Sequence, residues 1–389
     1  MTRSREHAPL GGQRGVTRAV TALALGAALS CAACDEKKTS SQARVPDANA
    51  GPDKYATADP KLANALQATT TGSGDVEKGP PPAGIFAAGV ADQRHAKGAP
   101  THVELVAEGS EPRVSLLAAP DSPAGGARAR AYGPALLEVA LQTGPRVAMP
   151  TTDFVLSIGP AKKDDGGADW LVADVKRAVP ARHQLGDLPA GVEKDIASLV
   201  GTSIRIKMSP DGLESEVDTQ PGKTTHSELE RLAWSAGEAL VLANVPLPPR
   251  PVGVGAQWIA ETRMPLLGLD VIAYRAYRVK DIEGDRVHLT VDVKAYATSR
   301  EVQFAGVPKG STLEQFDAES GGEIELLRGE SLARKSEMQE RVVMVFQAPG
   351  AAQAPAAPGL PPGNMMTAQF HSQATLARGD DGRSATKQP

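Results

Sequence analysis

The sequence predicts an α+β protein that is rich in antiparallel, curved β-sheet and has one short and one longer helix. From Thr101 onward, apolar residues recur mainly at every second position, in short runs separated by glycine, proline or aspartate. Only two segments have the spacing of a helix. Hydrophobic residues make up 41% of the 389 residues, which is enough for a sizeable core. These patterns leave open whether the sheet consists of two related halves.

The first 34 residues have the layout of an export signal. Four arginines between residues 3 and 18 precede an apolar run at residues 19–30, which has the length of a signal-peptide core and is too short to cross a bilayer. The two cysteines of the chain, Cys31 and Cys34, follow directly. Their spacing also occurs in redox pairs, but a redox pair is expected in a strand–helix context that this segment lacks.

This segment resembles the lipobox of bacterial lipoproteins, in which a cysteine that follows small residues is acylated and becomes the new N-terminus. Cys34 is favoured because Ala32 and Ala33 precede it, and Cys31 is the alternative. Cleavage with release and an uncleaved anchor remain open. The resemblance implies several acyl chains on one cysteine, which suffice for stable membrane anchoring. The expected location is the bacterial envelope, facing the periplasm or the cell surface.

Composition divides the chain into terminal segments and a folded part. We expect a signal peptide and lipobox at residues 1–34, a disordered tether at 35–82, a first β-rich half at 83–220, a second half with a helix and antiparallel strands at 221–377, and a disordered tail at 378–389. Directly after the tether, Ile85 and Phe86 are large apolar side chains. They are either a clip onto the folded part or stray residues of the linker.

The strands are predicted from the alternation of apolar and polar residues. Residues 103–107 and 114–117 flank a Gly-Ser-Glu-Pro turn and are expected to pair as a hairpin. The clearest strand is 286–297, whose apolar residues all share one face. Further strands are expected at 135–143, 153–159, 170–179, 258–264, 270–280, 311–316, 323–329, 336–347 and 367–376.

Two segments have helical periodicity. The short helix covers residues 192–200. The longer one begins at a capping box formed by Thr225 and Glu228, and its apolar residues share one face as far as Ala243. The proline-rich segment at 246–251 cannot stay helical and therefore ends it.

Two short matches suggest an internal repeat. Residues 171–176 parallel residues 289–294, and residues 201–217 align without gaps to residues 310–326. If the halves are duplicated, the valine of each Asp-Val-Lys sequence takes an equivalent inward position, and the lysine that follows points outward. Chance similarity between β-rich segments is the alternative.

The order of these features resembles an uncharacterised family of bacterial lipoproteins. The shared features are the lipobox, the tether, a helix, a proline-rich crossover, the sequence Gly-Val-Gly-Ala-Gln-Trp at 253–258, and consecutive strands. More loosely, the chain is similar to curved-sheet periplasmic lipoprotein carriers in which helices fill the concave side. The first resemblance implies no site residues. The second implies a lipid-like ligand, by analogy of fold.

No catalytic, cofactor-binding or metal-binding motif is predicted. Ser235 lies in Ala-Trp-Ser-Ala-Gly, which comes near the nucleophile elbow of serine hydrolases, but a helical serine cannot occupy that strained turn. Gly253 and Gly255 lack the third glycine of a dinucleotide loop. The seven histidines are scattered, with His95 and His102 the nearest pair, whereas a zinc site needs three or four converging ligands.

Two further patterns have simple structural interpretations. Residues 209–212 resemble a calcium loop only superficially and are expected to form a hairpin turn. Glu323 and Glu325 lie two apart on one strand and could act as acid and base, although a solvated face is the simpler interpretation. The net charge of −4 and the aromatic content of 4% argue against nucleic acid as a partner.

The sequence therefore favours a membrane-anchored lipoprotein with a non-catalytic binding or structural role in the envelope, whose partner is an envelope protein or a lipid-like ligand. A carrier of a lipid-like ligand and a hydrolase with an unrecognised nucleophile are the alternatives, and a spacer or assembly factor is a third. A carrier needs a sizeable apolar pocket, and an enzyme needs titratable groups that converge in a cleft. No cofactor is expected.

Overall fold

The computed structural model describes residues 80–117, 132–144, 147–161, 169–181, 191–209, 213–302, 307–349 and 365–379. The predicted signal peptide with Cys31 and Cys34, most of the predicted tether and most of the predicted tail lie outside these residues. Within the described ranges, no helix is both long and apolar enough to span a membrane.

Alternating apolar and polar side chains build the described residues into one antiparallel sheet of thirteen strands. The strands are β1 (His102–Ala107), β2 (Gly133–Thr143), β3 (Val147–Ala148), β4 (Thr152–Pro160), β5 (Asp169–Pro180), β6 (Ser203–Met208), β7 (Glu214–Gln220), β8 (Gln257–Leu266), β9 (Leu269–Glu283), β10 (Arg286–Ala297), β11 (Thr312–Leu327), β12 (Lys335–Gln347) and β13 (Met365–Arg378). Their spatial order is β1-β8-β9-β10-β11-β12-β13-β2-β4-β5-β6-β7, and β3 pairs with β2. The predicted β-rich, antiparallel α+β fold is confirmed.

The sheet runs without a break through both predicted halves, because β1 pairs with β8 and β13 pairs with β2. It also curls. Thr101, just before β1 at one edge, donates its backbone N–H to the carbonyl of Glu214 in β7 at the other edge, at 2.8 Å. The concave side of the curled sheet therefore encloses the main core.

Three helices accompany the sheet in the described residues. They are α1 (Val90–Arg94), α2 (Val192–Ala197) and α3 (Glu230–Ala243), with 3₁₀ turns at Pro82–Gly84 and Ser227–Leu229. The short and the longer predicted helix correspond to α2 and α3, and α1 is an addition. α3 lies on the concave side and contacts β2, β7, β8, β12 and β13. Because the sheet surrounds it, nearly every residue of α3 from Leu232 to Ala243 is buried.

The predicted capping box does not form. α3 begins after the 3₁₀ turn Ser227–Leu229, and no side chain caps it. Thr225 instead donates its hydroxyl to the carbonyl of Ser198, 3.0 Å away, where α2 ends. This tertiary contact engages the hydroxyl that the capping box requires.

The alternation predicted for residues 286–297 is confirmed in β10, whose inward side chains are all buried. The valines of the two Asp-Val-Lys sequences also face the core, since Val175 is 1% exposed and Val293 is 7% exposed. Lys176 is exposed, whereas Lys294 is partly covered and pairs with two carboxylates of β11.

The hairpin predicted around the turn at residues 109–112 is wrong. β1 pairs with β8, and Val114 forms an isolated bridge with Val252. A close approach at Gly253 permits this pairing, because a Cβ there would lie 1.7 Å from the carbonyl oxygen of Ser110. The turn therefore joins two segments that both pair with distant parts of the chain.

The two segments of the second match in the proposed repeat fold into different structures. Residues 201–217 contain the antiparallel strand pair β6 and β7. The turn predicted at 209–212 lies mostly outside the described residues, at 210–212. Residues 310–326 run instead through the single strand β11. Gly321 and Gly322 do not turn the chain, because both stay paired with β12. The gap-free alignment therefore does not mark equivalent structures.

Two predicted boundaries also change. The strands predicted at 311–316 and 323–329 merge into β11. β13 continues to Arg378, one residue into the predicted tail. The side chain of Arg378 is held by the fold, because it donates to the carbonyls of Leu332 and Ala333 at 2.6 Å each.

Candidate functional site

The interior of the curled sheet is the candidate site, because buried charges and a cavity lie there beside α3. Charged side chains are almost never fully buried unless they are paired. Arg275, Glu214 and Glu238 are all buried on the concave side. Their surroundings decide whether each one has a structural or a chemical role.

The best-formed cavity of the described residues lies beside α3 and has a volume of about 10 Å³. This is about the space of one water molecule, whereas ligand pockets usually measure roughly 300–1,000 Å³. Most of its wall is apolar, including Leu242 and Met264. Glu319, Ser320 and Glu340 supply the polar part. The cavity can hold a water molecule but not a lipid.

Arg275 of β9 and Glu214 of β7 form an ion pair through the Nη2 atom of the arginine, and both side chains are fully buried. The other terminal nitrogen, Nη1, donates to the carbonyls of Val241 and Asn244, at 3.2 and 3.1 Å. These carbonyls lie at the end of α3, where a helix carries partial negative charge. A carboxylate and a helix terminus thus neutralise the arginine together.

Further hydrogen bonds complete this network. Asn244 Nδ2 donates to the second carboxylate oxygen of Glu214 at 2.7 Å, and Arg275 also donates to Thr262 Oγ1 at 2.6 Å. Burial by itself would lower the pKa of Arg275, but the Glu214 carboxylate and Tyr277 outweigh it and raise the pKa. The network joins α3, β7, β8 and β9, and its charges balance, which fits a structural role.

A second pair of acidic side chains, Glu238 of α3 and Glu340 of β12, lacks such balance. Glu238 is 6% exposed. Its Oε1 accepts the backbone N–H of Leu267, and its Oε2 has no hydrogen-bond partner among the described residues. Glu340 points inward between its register partners Ser320 and Ser372, and Ser372 Oγ donates to Glu340 Oε2 at 3.1 Å.

Burial governs the protonation of this acidic pair. It raises the pKa of Glu340 to about 7, against the opposing effect of the Ser372 hydroxyl. Burial and then the neighbouring charge of Glu340 raise the pKa of Glu238 well above its usual range. The interior therefore favours neutral carboxyl groups at these two positions.

On the convex side of the sheet, residues 84–99 form a strap over β8, β9 and β10. Ile85 enters the main core and forms a parallel bridge with Ala297. Phe86 packs edge-on against Tyr296, with the ring centroids 5.9 Å apart. Both side chains are buried, so they form a clip onto the fold and are not stray residues of the linker.

Polar contacts also hold the strap in place. Arg263 donates to both carboxylate oxygens of Asp270, donates to the carbonyl of His95 at 3.0 Å, and pairs with Asp92 of α1. His95 Nδ1 lies 3.8 Å from Glu261 Oε1. Burial raises the pKa of Glu261 to about 7 and lowers the pKa of His95.

The residues considered from the sequence do not converge on one site. The predicted lipidation sites, Cys31 and Cys34, lie outside the described residues. Ser235 is buried within α3, which confirms that it packs in a helix and occupies no strained turn. His95 lies in the strap and His102 is exposed on the edge strand β1.

Glu323 and Glu325 point outward from β11, and each has its own cation. Lys280 Nζ lies 2.6 Å from Glu323 and an Arg286 nitrogen lies 3.6 Å from Glu325. The two glutamates therefore form separate ion pairs and not an acid–base pair. In the part of the chain that the structure describes, no group of three or more His, Cys, Asp or Glu residues could hold a metal ion.

The inward-facing charges Arg275, Glu238 and Glu340 are the residues that the sequence reasoning misses. Each interrupts an otherwise apolar series. Glu340, for example, stands between Met338 and Val342 on the inward face of β12. A single charge in the inward register of a strand is the signal that could have found it.

The concave interior thus combines a balanced structural network, an unbalanced acidic pair and a cavity of one water. Comparison with known protein families finds no matching family, and no curated protein matches the chain. A proposal for its function therefore rests on its own residues.

Proposed function

We propose that this chain is an exported, lipid-anchored protein of the bacterial envelope, and that its folded part has a non-catalytic binding or structural role there. The support at the N-terminus is the basic segment, the apolar run at residues 19–30 and the cysteines Cys31 and Cys34. An envelope protein that binds the outer surface of the fold is the expected partner.

The main support for a binding role at the outer surface is that α3 fills the concave side of the sheet. Eleven of the fourteen residues of α3 are buried there, and the cavity beside them measures about 10 Å³. A lipid-like ligand needs a space of the order of hundreds of Å³. A carrier role would therefore require α3 to leave its place, whereas a partner on the outer surface requires no rearrangement.

The same packing weighs against the hydrolase alternative. A general acid or base has to come within roughly 2.6–3.2 Å of the proton that it transfers. Glu238 is buried in α3, and Glu340 lines a cavity with room for about one water. The outward charges of β10, β11 and β12 pair with one another, which suits a polar partner surface and offers no reactive group.

The strap supports the anchored arrangement. It begins at residue 84, directly after the predicted tether, and its first side chains are buried in the fold. A pull on the tether would therefore act on Ile85 and Phe86. We infer that the strap is the attachment point between the anchor and the folded part.

Expression with the native leader tests the proposal. The protein should fractionate with membranes, and intact mass spectrometry should show acyl mass on one cysteine. Cys34→Ser should abolish the added mass if Cys34 is the acylated residue, and Cys31→Ser should do so in the alternative case. An unmodified mature chain in the soluble fraction would overturn the proposed anchor.

Lipid analysis of the gently extracted protein separates the binding role from the carrier alternative. After washing, the folded part should carry no stoichiometric lipid besides the covalent anchor. A fixed molar ratio of a releasable lipid would favour the carrier, because such a ligand has to occupy the concave side.

A further inference from the structure

The strap covers a patch of aromatic and apolar side chains on the outer face of the sheet. The large side chains of this patch come from β8, β9 and β10 and are Ile259, Ile272, Tyr274 and Tyr296. They point outward because their neighbours in each strand face the main core. With Phe86 of the strap they form a hydrophobic cluster that is separate from the main core. The patch belongs to the sheet, and the strap is its occupant.

The strap crosses this patch along one row of the sheet. Tyr296, Ile272 and Arg263 are register partners on β10, β9 and β8. Because neighbouring strands lie about 4.8 Å apart, the two ends of the row are roughly 10 Å apart. Phe86 packs on Tyr296 at one end, and Asp92 pairs with Arg263 at the other. The sheet thus contacts the strap through an aromatic group at one end and a cation at the other.

The sheet itself holds both of these contact groups in position. Arg263 donates from Nε and Nη2 to the carboxylate of Asp270 in β9, at distances between 2.7 and 3.1 Å. Tyr296 packs edge-on against Tyr274, with the ring centroids 5.9 Å apart. None of these contacts involves the strap. The face is therefore pre-organised for a strap that arrives from elsewhere, which lowers the cost of binding.

The start of the strap fits its place through a particular sequence. A Cβ at Gly84 would lie 1.8 Å from the carbonyl oxygen of Phe316, so glycine is required there. Ile85 enters the main core, and Phe86 donates its backbone N–H to the carbonyl of Ala297 at 2.9 Å. Every copy of this chain carries the same Gly-Ile-Phe order. A second copy therefore supplies an occupant whose fit to this face is already visible.

A short segment joins the strap to β1. Residues 96–100 are mostly exposed and contain a turn, in which Ala99 donates its backbone N–H to the carbonyl of Ala96 at 3.0 Å. Beyond it, Thr101 is fixed by two hydrogen bonds to the carbonyl of Glu214, at 2.8 and 2.9 Å. Opened into an extended chain, five residues span up to roughly 17 Å. This hinge allows the strap to leave its own sheet while β1 stays paired with β8.

We propose that two copies of this chain exchange their straps, so that residues 84–99 of each copy occupy the outer face of β8, β9 and β10 in the other. Each copy gives the same segment and receives the same segment, which produces a closed two-fold dimer. The strap keeps its contacts, no covalent bond changes, and the turn at residues 96–99 opens. Because both arrangements contain the same contacts, chain concentration decides between them. The exchange goes beyond the proposed function and does not depend on the lipid anchor.

Photo-crosslinking of full-length chains in mild detergent tests the exchange. Benzoylphenylalanine in place of Phe86 puts a reactive group of similar shape at the aromatic end of the row. Chains with and without ¹⁵N label are unfolded together in urea, refolded at high concentration and illuminated. Mass spectrometry should find a dimer in which residue 86 is linked to β9 or β10 of a chain with the other label. Links within one chain only, or a dimer linked elsewhere, would overturn the proposal.

The hinge gives an independent measurement. Deleting residues 97 and 98 removes the turn that folds the strap back onto its own sheet, and a shortened hinge favours exchange. The dimerisation constant should rise at least about tenfold, because the strap of the same chain no longer competes for the face. A shortened chain that stays monomeric would contradict the exchange. If this chain fails to fold, the crosslinks of the chain with its native hinge decide.

A matched control separates the strap contact from unspecific proximity. Gln93 lies in the same strap but is exposed. Benzoylphenylalanine in its place should give no links between β9 or β10 and a chain with the other label. Equal links from positions 86 and 93 would show that the copies merely lie close together, and this outcome would refute the exchanged strap.

Discussion

Arg275 and Glu214 form an ion pair that is fully buried inside the curled sheet, between β9 and β7. The backbone carbonyl of the same glutamate accepts the N–H of Thr101 from the opposite edge of the sheet. One residue therefore takes part both in neutralising the arginine and in bringing the two edges together. Because of this double role, substitutions at the pair are expected to destabilise the fold.

Replacing Glu214 with glutamine should destabilise the fold by about 3–5 kcal/mol, because the buried arginine keeps an uncompensated charge. The double variant Glu214→Leu, Arg275→Met removes both charges and should recover part of this loss. Lys280→Met, which breaks an exposed ion pair, is the control and should cost less than about 1 kcal/mol. Urea unfolding measures all three. Equal losses for the buried and the exposed pair would contradict the assignment.

The strap and the predicted tether should differ in their effect on stability. A chain that starts at residue 80 should melt at the temperature of the full mature chain, because the residues before it show no apolar periodicity. A chain that starts at residue 100 lacks the strap and should melt at a lower temperature. Thermal unfolding followed by circular dichroism compares the melting temperatures. A lower melting temperature already in the chain that starts at residue 80 would show that the tether contributes to stability.

The aromatic contact of the strap can be tested with point variants. Phe86→Ala should destabilise the fold by about 3 kcal/mol, because a buried aromatic ring and its edge-on contact with Tyr296 are lost. Gln93 is exposed in α1, and Gln93→Ala should change the stability by less than about 0.5 kcal/mol. Similar results for both variants would mean that the strap is only loosely attached.

Glu261 should make the strap sensitive to pH. Burial raises the pKa of Glu261 to about 7 in the folded chain, so the folded state holds this proton more tightly than the unfolded state. The resulting stabilisation is fully present below pH 4.5 and is lost as the pH rises through 7. In Glu261→Gln the stability relative to wild type should increase over this interval, with a slope of up to about 1.4 kcal/mol per pH unit. Glu104→Gln, at an exposed position of β1, is the control. Parallel curves for wild type and Glu261→Gln would exclude this role.

The alternation in β5 and β10 predicts four graded effects. Val175→Ala and Val293→Ala should each cost roughly 1–3 kcal/mol through lost burial and the cavity left behind. Lys176→Ala should cost less than about 0.5 kcal/mol. Lys294→Ala should cost more than Lys176→Ala, because Lys294 bonds two carboxylates, at 2.7 and 2.6 Å. Denaturant unfolding gives the order of the four losses of stability. A lysine variant that loses as much stability as the valine variants would contradict the assigned side-chain directions.

Local patterns predicted most strands well, and their failures have physical causes. The strand at 286–297 has the predicted bounds, because its alternation continues without interruption. The capping box fails because Thr225 bonds a distant carbonyl. The hairpin before Val114 fails because Gly253 admits a closer approach from another segment. Contacts of this kind leave no local pattern.

The candidate site was only partly predictable for the same reason. Glu340 interrupts an apolar inward register, and this can be read from the strand alone. Its neighbour Glu238 lies on a helix far away in the chain, and nothing in either segment indicates that they meet. Burial raises the pKa of Glu340, and burial together with the charge of Glu340 raises the pKa of Glu238, so both shifts arise only from the tertiary enclosure.

The sequence by itself determined the type of most elements and which side chains of each strand face the core, because side-chain direction alternates along any strand whatever its partner. It also contains the features from which an export signal and a lipid anchor are inferred. Only the tertiary structure decided that β1 lies beside β8, that the sheet curls around α3, and that Arg275 meets Glu214. These relationships depend on backbone hydrogen bonds and packing between distant segments, and the energy of such contacts is available only once the sheet has closed around its core.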